Sequence, residues 1–429
     1  MLLETLRYED LVDDADLTAV VERAFGREGL GIVAVTRVPD IGDFRREMME
    51  LGRRFANLSE DIRARYEHPS SSFSFGWSHG KETLEAGRPD LAKGSFYANP
   101  CFDAPFAEDP AAVSSQPAFA HPNVWPDDEV PGFSTAFKAL GQAVVRVGTL
   151  VARQCDRYVA RVHRGYEEGK LERIVSTSRC CKGRFLHYFP RSFPRNGQRS
   201  CANHDLDRVT SETSRSCLAA VEGQEENPDL ACKGSGQDDG SPAATGNGAD
   251  MGSTSEIGVF SVTDDDGSFS DWCGWHHDHS SLTGLVPAML FDAQGKEVTN
   301  DDPNCGLFIR SRKGVLVKIA LPRGESPSSC LLFQIGETTQ VHSGGALQAT
   351  PHAVRSTSRQ EISREAFAVF MQPGWAESMD TPIGTGLEST RSLHAANLLP
   401  RAAAPISERL RPGMDFGAFS AATVDAFYS

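Results

Sequence analysis

Hydrophobic residues recur at three- and four-residue steps over residues 132–162. The stripe includes Phe133, Phe137, Leu140 and Val144, with arginine and glutamine among the residues between its members. This spacing predicts one long amphipathic helix whose apolar side packs against the core. Three shorter helical patterns lie nearer the N-terminus, at residues 16–27, 43–56 and 60–67.

Short apolar or alternating runs, broken by glycine and proline, indicate strands in the rest of the chain. They lie at residues 29–38, 283–291, 306–310, 315–321, 330–335 and 365–371. Short strands with such breaks favour a closed or two-sheet β architecture over a parallel sheet. We therefore predict an α+β fold with a mainly β core, flanked by the N-terminal helices.

Residues 75–100 combine aromatic and polar side chains with several glycines, a composition that favours turns over helix. We interpret this segment as a loop, and either substrate contact or simple surface structure would explain its composition. Tryptophan and tyrosine at a cavity mouth offer an apolar face and a polar tip. The candidate substrate contacts are Trp77, Lys93, Phe96 and Tyr97.

The composition changes after Pro190, and no aromatic residue occurs from position 194 to position 259. This segment has too few apolar side chains to offset the entropy that is lost when the backbone becomes ordered. We therefore predict a disordered low-complexity insertion at residues 191–256. The insertion would separate residues 1–190, with the N-terminal helices and first core strands, from residues 257–429, with the rest of the core and a C-terminal tail.

Composition and charge exclude several classes of function. The chain of 429 residues is 39% apolar, enough to bury a sizeable core, and its net charge is −15 without a long basic run. A nucleic-acid partner is therefore not expected, because phosphate contacts need clustered lysine and arginine. The charged first fourteen residues and the lack of a long apolar stretch predict neither a secretory signal nor a membrane span. Ten scattered cysteines without a CxxC pair indicate reduced thiols and a cytoplasmic protein.

The candidate chemistry centres on GWHHDHSSLTGL, residues 274–285. His276 and Asp278 are two residues apart, so on an extended strand both side chains would face the same metal ion. His352, in TPHAVRS, is the candidate third ligand. Two imidazoles and one carboxylate form the facial triad typical of non-haem Fe(II) oxygenases. A solvated polar turn is one alternative, which the apolar run at 282–285 disfavours, and a zinc site is another, since imidazole also binds zinc.

Arg364 lies twelve residues after His352 and begins the alternating segment REAFAVFMQP. A guanidinium group binds a carboxylate through two parallel hydrogen bonds. An arginine beside an iron centre is therefore a candidate anchor for a dicarboxylic co-substrate, whereas a hydrolytic zinc site has no need of one.

The order H-x-D-x-x-x-L-T, distal histidine, arginine resembles the Fe(II)/2-oxoglutarate-dependent oxygenases of the isopenicillin N synthase-like branch. GRFLHYFP at residues 183–190 is similar to the strand that precedes the HxD motif in that family, and residues 331–352 are similar to the stretch before the distal histidine. Residues 76–100 and the closing FMQPGW resemble an uncharacterised plant and algal subgroup.

The resemblance implies a double-stranded β-helix, or jelly roll, around a cavity. It implies Fe(II) bound by His276, Asp278 and His352, 2-oxoglutarate held by Arg364, and dioxygen as oxidant. The implied reaction oxidises a small-molecule substrate by hydroxylation, desaturation or cyclisation, with release of succinate and carbon dioxide.

The chain departs from the family pattern at two places that concern the co-substrate. The family usually has the motif R-x-S, but here Ala366 stands at the serine position. The family also often has N-x-Y before the proline, and here His187 and Phe189 stand at the asparagine and tyrosine positions. His187 or Tyr188 is the candidate replacement for the lost contacts. Two alternative functions therefore stay open, namely an Fe(II) oxidase that does not use 2-oxoglutarate and a non-catalytic small-molecule binder.

Overall fold

The structure is a computed structural model, and it describes residues 3–82, 90–190, 272–386 and 405–428. The predicted insertion at 191–256 lies outside the described residues. The division of the chain at that insertion therefore stays a prediction.

The helices and strands are numbered in chain order. The helices are α1 (Tyr8–Val12), α2 (Thr18–Phe25), α3 (Ile41–Ala56), α4 (Glu60–Ala64), α5 (Pro110–Ser115), α6 (Pro117–Ala120), α7 (Phe133–Val162), α8 (Lys170–Thr177), α9 (Glu337–His342), α10 (Ile406–Arg409) and α11 (Phe416–Tyr428). The strands are β1 (Glu4–Arg7), β2 (Ile32–Thr36), β3 (Gly76–His79), β4 (Lys93–Ala98), β5 (Lys182–Tyr188), β6 (Cys273–His276), β7 (Leu282–Phe291), β8 (Glu297–Val298), β9 (Gly306–Arg310), β10 (Leu316–Lys318), β11 (Leu331–Ile335), β12 (His352–Arg355) and β13 (Ser363–Met371).

Two sheets form the β part of the fold. Among the described residues, nine strands make the larger sheet, in the order β1-β2-β11-β7-β13-β5-β4-β3 with β8 beside β7. Four strands make the smaller sheet, in the order β10-β9-β12-β6. Every pairing is antiparallel except that of β1 with β2. These sheets, together with the helices, confirm the predicted α+β class with a mainly β core.

The predicted long helix is confirmed as α7, and it packs with α3 on one side of the larger sheet. Their apolar stripes and the facing strand residues form one buried cluster. Gly52 of α3 allows a close approach to the sheet, because a Cβ at this position would lie 2.4 Å from the ring of Phe185. The helices therefore cover one face of the larger sheet and leave its other face to the smaller sheet.

The prediction of a loop at residues 75–100 is wrong for two segments, which form β3 and β4 at the edge of the larger sheet. Cross-strand neighbours Trp77 and Phe96 are 2% and 0% exposed and belong to the core beneath the helices. These two aromatic side chains thus fill the space between the larger sheet and the helices. Their position gives Trp77 and Phe96 a packing role.

Phe55 of α3 is expected to be a main determinant of stability. Its ring lies 5.4–5.7 Å from those of Tyr66, Trp77, Phe96 and Phe133. Phe55→Ala should lower the free energy of unfolding by about 3–5 kcal/mol, measured by urea denaturation, because it leaves a cavity in a buried aromatic cluster. The matched control is Phe102→Ala, whose side chain is 41% exposed. Equal losses in the two variants would contradict the assignment.

Two further expectations concern membranes and cysteines. No helix within the described ranges is long and apolar enough to span a bilayer. The cysteines of the described residues are free thiols.

Candidate metal centre

The two histidines of the predicted triad face each other across neighbouring strands. His276, the last residue of β6, pairs directly with His352, the first residue of β12, and their rings lie 4.2 Å apart. Asp278 lies two residues beyond the end of β6 and not on the strand itself. The expectation of two ligands on one strand thus holds for His276 alone, but the three side chains converge as predicted.

The distances within the triad suit a single small cation. Oδ1 of Asp278 lies 3.8 Å from Nε2 of His276 and 3.7 Å from Nε2 of His352, and all three ligand atoms lie within 4.8 Å of one another. The side chains of Asp278 and His352 are buried, whereas that of His276 is 31% exposed. The centre therefore has one side open to solvent or to a ligand.

Backbone contacts orient both imidazoles for metal binding. Nδ1 of His276 donates to the carbonyl oxygen of Gly274 at 2.7 Å, and Nδ1 of His352 donates to that of Thr350 at 3.2 Å. In the neutral imidazole, each contact leaves the Nε2 lone pair directed at the common centre. Oδ2 of Asp278 is buried without a hydrogen-bond partner in the described residues. A buried acceptor without a donor is costly, and a bound cation would satisfy it. The residues therefore fit a divalent metal.

The electrostatic environment differs between the two histidines. Burial lowers the pKa of His352 to about 4, so this imidazole is neutral at physiological pH. Burial also disfavours protonated His276, but the neighbouring Cys273 thiolate and the Asp278 carboxylate raise its pKa to about 9. Sγ of Cys273 lies 3.7 Å from Nδ1 of His276. Metal-free His276 is therefore protonated at physiological pH, and a cation bound at the triad would displace this proton.

Arg364 lies on the side of the larger sheet that faces the smaller sheet. Its guanidinium carbon is 5.0 Å from the ring of Tyr188 and 5.6 Å from that of Trp272, which directly precedes β6. Tyr188 and Arg364 are cross-strand partners on β5 and β13. In the described parts of the chain, Arg364 forms no ion pair.

The strand alternation separates His187 from this group. His187 points to the helix-covered face, where its Nδ1 lies 2.7 Å from Oε2 of Glu365. The other carboxylate oxygen, Oε1, lies 3.9 Å from Nε of Arg53 in α3. Phe189 also packs against the helix-side core. The structure thus brings Tyr188 to the interior with Arg364 and leaves His187 on the opposite face.

Lys93 and Tyr97 lie on the interior face of β4, opposite Tyr188 and Arg184 of β5. Nζ of Lys93 forms ion pairs with Glu82 at 2.8 Å and with Asp90 at 2.9 Å. Arg184 reaches the same Glu82 carboxylate at 2.6 Å. Two of the four predicted substrate contacts therefore belong to a polar network on the interior face, and Trp77 and Phe96 lie on the other side of the sheet.

Comparison with solved structures gives the fold family. A 2OG-Fe(II) oxygenase family protein from Caulobacter crescentus superposes with a TM-score of 0.58 at 15% identity, over 99% of this chain and 98% of that one. A full-length protein from Neurospora crassa, solved in complex with alpha-KG, gives a TM-score of 0.54 at 15% identity, over 100% and 96% of the two chains. This chain has the fold of the 2OG-Fe(II) oxygenases. JOX2 in complex with 2OG, Fe and JA gives a TM-score of 0.53 at 15% identity, over 99% of this chain and 85% of JOX2.

No protein-family model and no curated protein matches the sequence. The resemblance to the 2OG-Fe(II) oxygenases is confirmed at the level of the fold. The narrower assignment to the isopenicillin N synthase-like branch and to a plant and algal subgroup stays a prediction.

Sequence patterns did not identify a second group of residues around the metal centre of this 2OG-Fe(II) oxygenase fold. Glu337 of α9 contacts His277 and His279, which flank Asp278, and forms an ion pair with Arg409 of α10. No spacing rule joins positions 277, 337 and 409. The one local signal was the unusual density of histidines around Asp278.

Proposed function

We propose that this protein is an Fe(II)- and 2-oxoglutarate-dependent dioxygenase that oxidises a small molecule. The convergence of His276, Asp278 and His352 on one centre is the observation that carries the proposal. Two imidazoles and one carboxylate leave several coordination positions of Fe(II) free, as this chemistry requires. When bound, Fe(II) would supply the activation of dioxygen that couples decarboxylation of 2-oxoglutarate to substrate oxidation.

The two sheets are, in this proposal, the two walls of a double-stranded β-helix. The two walls are in contact, because Val354 of the smaller sheet packs against the buried cluster that contains Tyr188 of the larger one. The triad lies on the smaller sheet and its adjoining loop, and Arg364 lies on the larger one. Co-substrate and substrate would bind in the space between the walls.

The protein's own groups hold and orient the co-substrate. Arg364 would bind the far carboxylate of 2-oxoglutarate, because its planar guanidinium packs beside the rings of Tyr188 and Trp272 and lacks a carboxylate partner in the described residues. Tyr188 would donate a hydrogen bond from its hydroxyl group to the same carboxylate. Lys93 and Tyr97 would contact the substrate, since they lie on the same interior face of the sheet.

The co-substrate distinguishes this proposal from the second candidate, an Fe(II) oxidase without 2-oxoglutarate. Ala366 favours that candidate, because it lies in the interior cluster and offers no hydroxyl where the resembling family has serine. Protein reconstituted with Fe(II) under anaerobic conditions should bind 2-oxoglutarate and, on admission of oxygen, form succinate. A screen of small-molecule classes should find a substrate that increases succinate release. Oxygen consumption without succinate would favour the oxidase.

Tyr188→Phe is expected to weaken 2-oxoglutarate binding by about 1 kcal/mol, or roughly fivefold, because it removes one hydrogen-bond donor from the carboxylate site. Titration of the Fe(II)-loaded protein with 2-oxoglutarate measures the effect. Phe189→Tyr restores the tyrosine at the position where the family has one, but on the helix-covered face, so it should bring no gain. Tighter binding in Phe189→Tyr, with no loss in Tyr188→Phe, would reverse the assignment.

A further inference from the structure

Glu337, at the start of α9, is a central contact of the loop that carries Asp278. Its backbone N–H donates to the carbonyl oxygen of Asp278 at 2.8 Å. Its two carboxylate oxygens lie 3.4 Å from Nδ1 of His277 and 3.5 Å from Nδ1 of His279. One residue thus contacts three consecutive positions of the metal-binding loop.

Arg409 binds this buried carboxylate through two parallel hydrogen bonds. Nη1 donates to Oε2 of Glu337 at 2.9 Å and Nη2 donates to Oε1 at 2.6 Å. The two side chains are 4% and 3% exposed. Such a planar pair fixes orientation as well as charge, because both partners have only one geometry that satisfies both bonds.

The C-terminal segment that carries Arg409 packs against the same loop. The ring of His279 lies 5.2 Å from that of Phe416 and 4.6 Å from that of Phe419 in α11. Thr423 of the same helix accepts a hydrogen bond from Arg409 at 2.8 Å. Residues more than 120 positions from the HxD motif therefore form the wall behind it.

A second metal site is the competing interpretation, since Glu337, His277 and His279 have ligand chemistry. The guanidinium group of Arg409 already occupies both carboxylate oxygens, and a cation there would be repelled by it. Within the described part of the chain, His276, Asp278 and His352 are the group whose ligand atoms converge. The contacts around Glu337 therefore point to orientation of the loop.

We propose that Arg409 and Glu337 are positioning residues for the metal centre, through which the C-terminal segment holds the loop of residues 277–279 in its ligating geometry. The inference rests on the proposed function, because it requires a metal at the triad. Residues of this kind, which orient the ligands without touching the metal, typically contribute about 10- to 100-fold to metal affinity.

The test is the affinity for Fe(II), measured anaerobically by competition with a chelator, together with the visible absorption of the Co(II)-substituted protein. Arg409→Leu should weaken Fe(II) binding by at least about tenfold and alter the Co(II) spectrum. Arg409→Lys keeps the charge but lacks the planar guanidinium group. Its Fe(II) affinity should therefore lie between those of the unaltered protein and Arg409→Leu. Arg173→Leu is the matched control, because its ion pair with Glu377 is partly exposed and does not reach the loop.

The double variant Arg409→Leu with Glu337→Gln separates positioning from stability. It removes the unpaired buried charge, so its thermal stability without metal should recover, while its Fe(II) affinity should stay low. Recovery of wild-type affinity, or wild-type affinity in Arg409→Leu itself, would overturn the inference. If Arg409→Leu does not fold, the test depends on Arg409→Lys. An Fe(II) affinity and a Co(II) spectrum equal to those of the unaltered protein would then overturn the inference. Failure of the unaltered protein to bind Fe(II) would instead refute the proposed function.

Discussion

Asp278→Ala is expected to abolish stoichiometric Fe(II) binding and, with it, succinate formation. The variant leaves two imidazoles without the buried carboxylate that balances the charge of the metal. Loss of a direct ligand should weaken binding by more than about 100-fold, since changes one shell further out already cost roughly 10- to 100-fold. Iron content after anaerobic reconstitution and removal of excess metal measures the effect.

The matched control for Asp278→Ala is Asp61→Ala, which removes an exposed carboxylate from α4. This variant should retain iron at the level of the unaltered protein. Circular dichroism of both metal-free variants should show the same folded structure. Full iron retention in folded Asp278→Ala would mean that the triad is not the metal centre.

Arg364→Leu is expected to increase the 2-oxoglutarate requirement while leaving the iron content unchanged. Removal of the guanidinium group would leave the far carboxylate unpaired in the interior, which costs about 2–3 kcal/mol, or roughly 30- to 150-fold in the concentration needed for half-maximal succinate formation. Arg364→Lys keeps the charge but not the two parallel bonds, so it should recover only part of the loss.

Arg359→Leu is the control for Arg364→Leu, because Arg359 is a partly exposed residue of the preceding loop, paired with Glu361. Its 2-oxoglutarate requirement should not change. An unaltered requirement in Arg364→Leu would place the anchor elsewhere, and loss of iron in the same variant would indicate a damaged fold instead.

Regular patterns in the sequence predicted the elements that bury one continuous face. The helix α7 has an apolar residue at nearly every third or fourth position, β7 is a largely apolar run of strand length, and β13 becomes one after its three polar first residues. In these elements the local pattern and the tertiary burial agree. The convergence of the triad was also predictable, because each ligand lies in a short motif of characteristic residues.

The strands β3 and β4 could not be recognised in this way. Glycine, which normally indicates turns, lies inside β4 at Gly94 because the ring of Trp77 packs 2.1 Å from where a Cβ would lie. The glycine is required by packing against a neighbouring strand, and this requirement is invisible without the partner. A local composition rule therefore gave the wrong structure.

The face of a strand residue also depends on contacts that are distant in sequence. The family pattern before Pro190 aligns its two co-substrate positions with His187 and Phe189. The pairing of β5 with β13 instead places Tyr188 in the interior. A shift of one position exchanges the two faces of a strand. The partnership of Glu337 and Arg409 was equally inaccessible, since it depends on where the C-terminal segment packs.

The position of His276 at the end of β6 has a consequence for the architecture itself. Within the described residues, β6 is an edge strand of the smaller sheet, and it pairs with β12 there in a short and irregular register. An ion bound by His276 and His352 would act as a cross-link between the two strands, much as a disulfide would. Metal binding would therefore stabilise this edge of the smaller sheet in the folded protein.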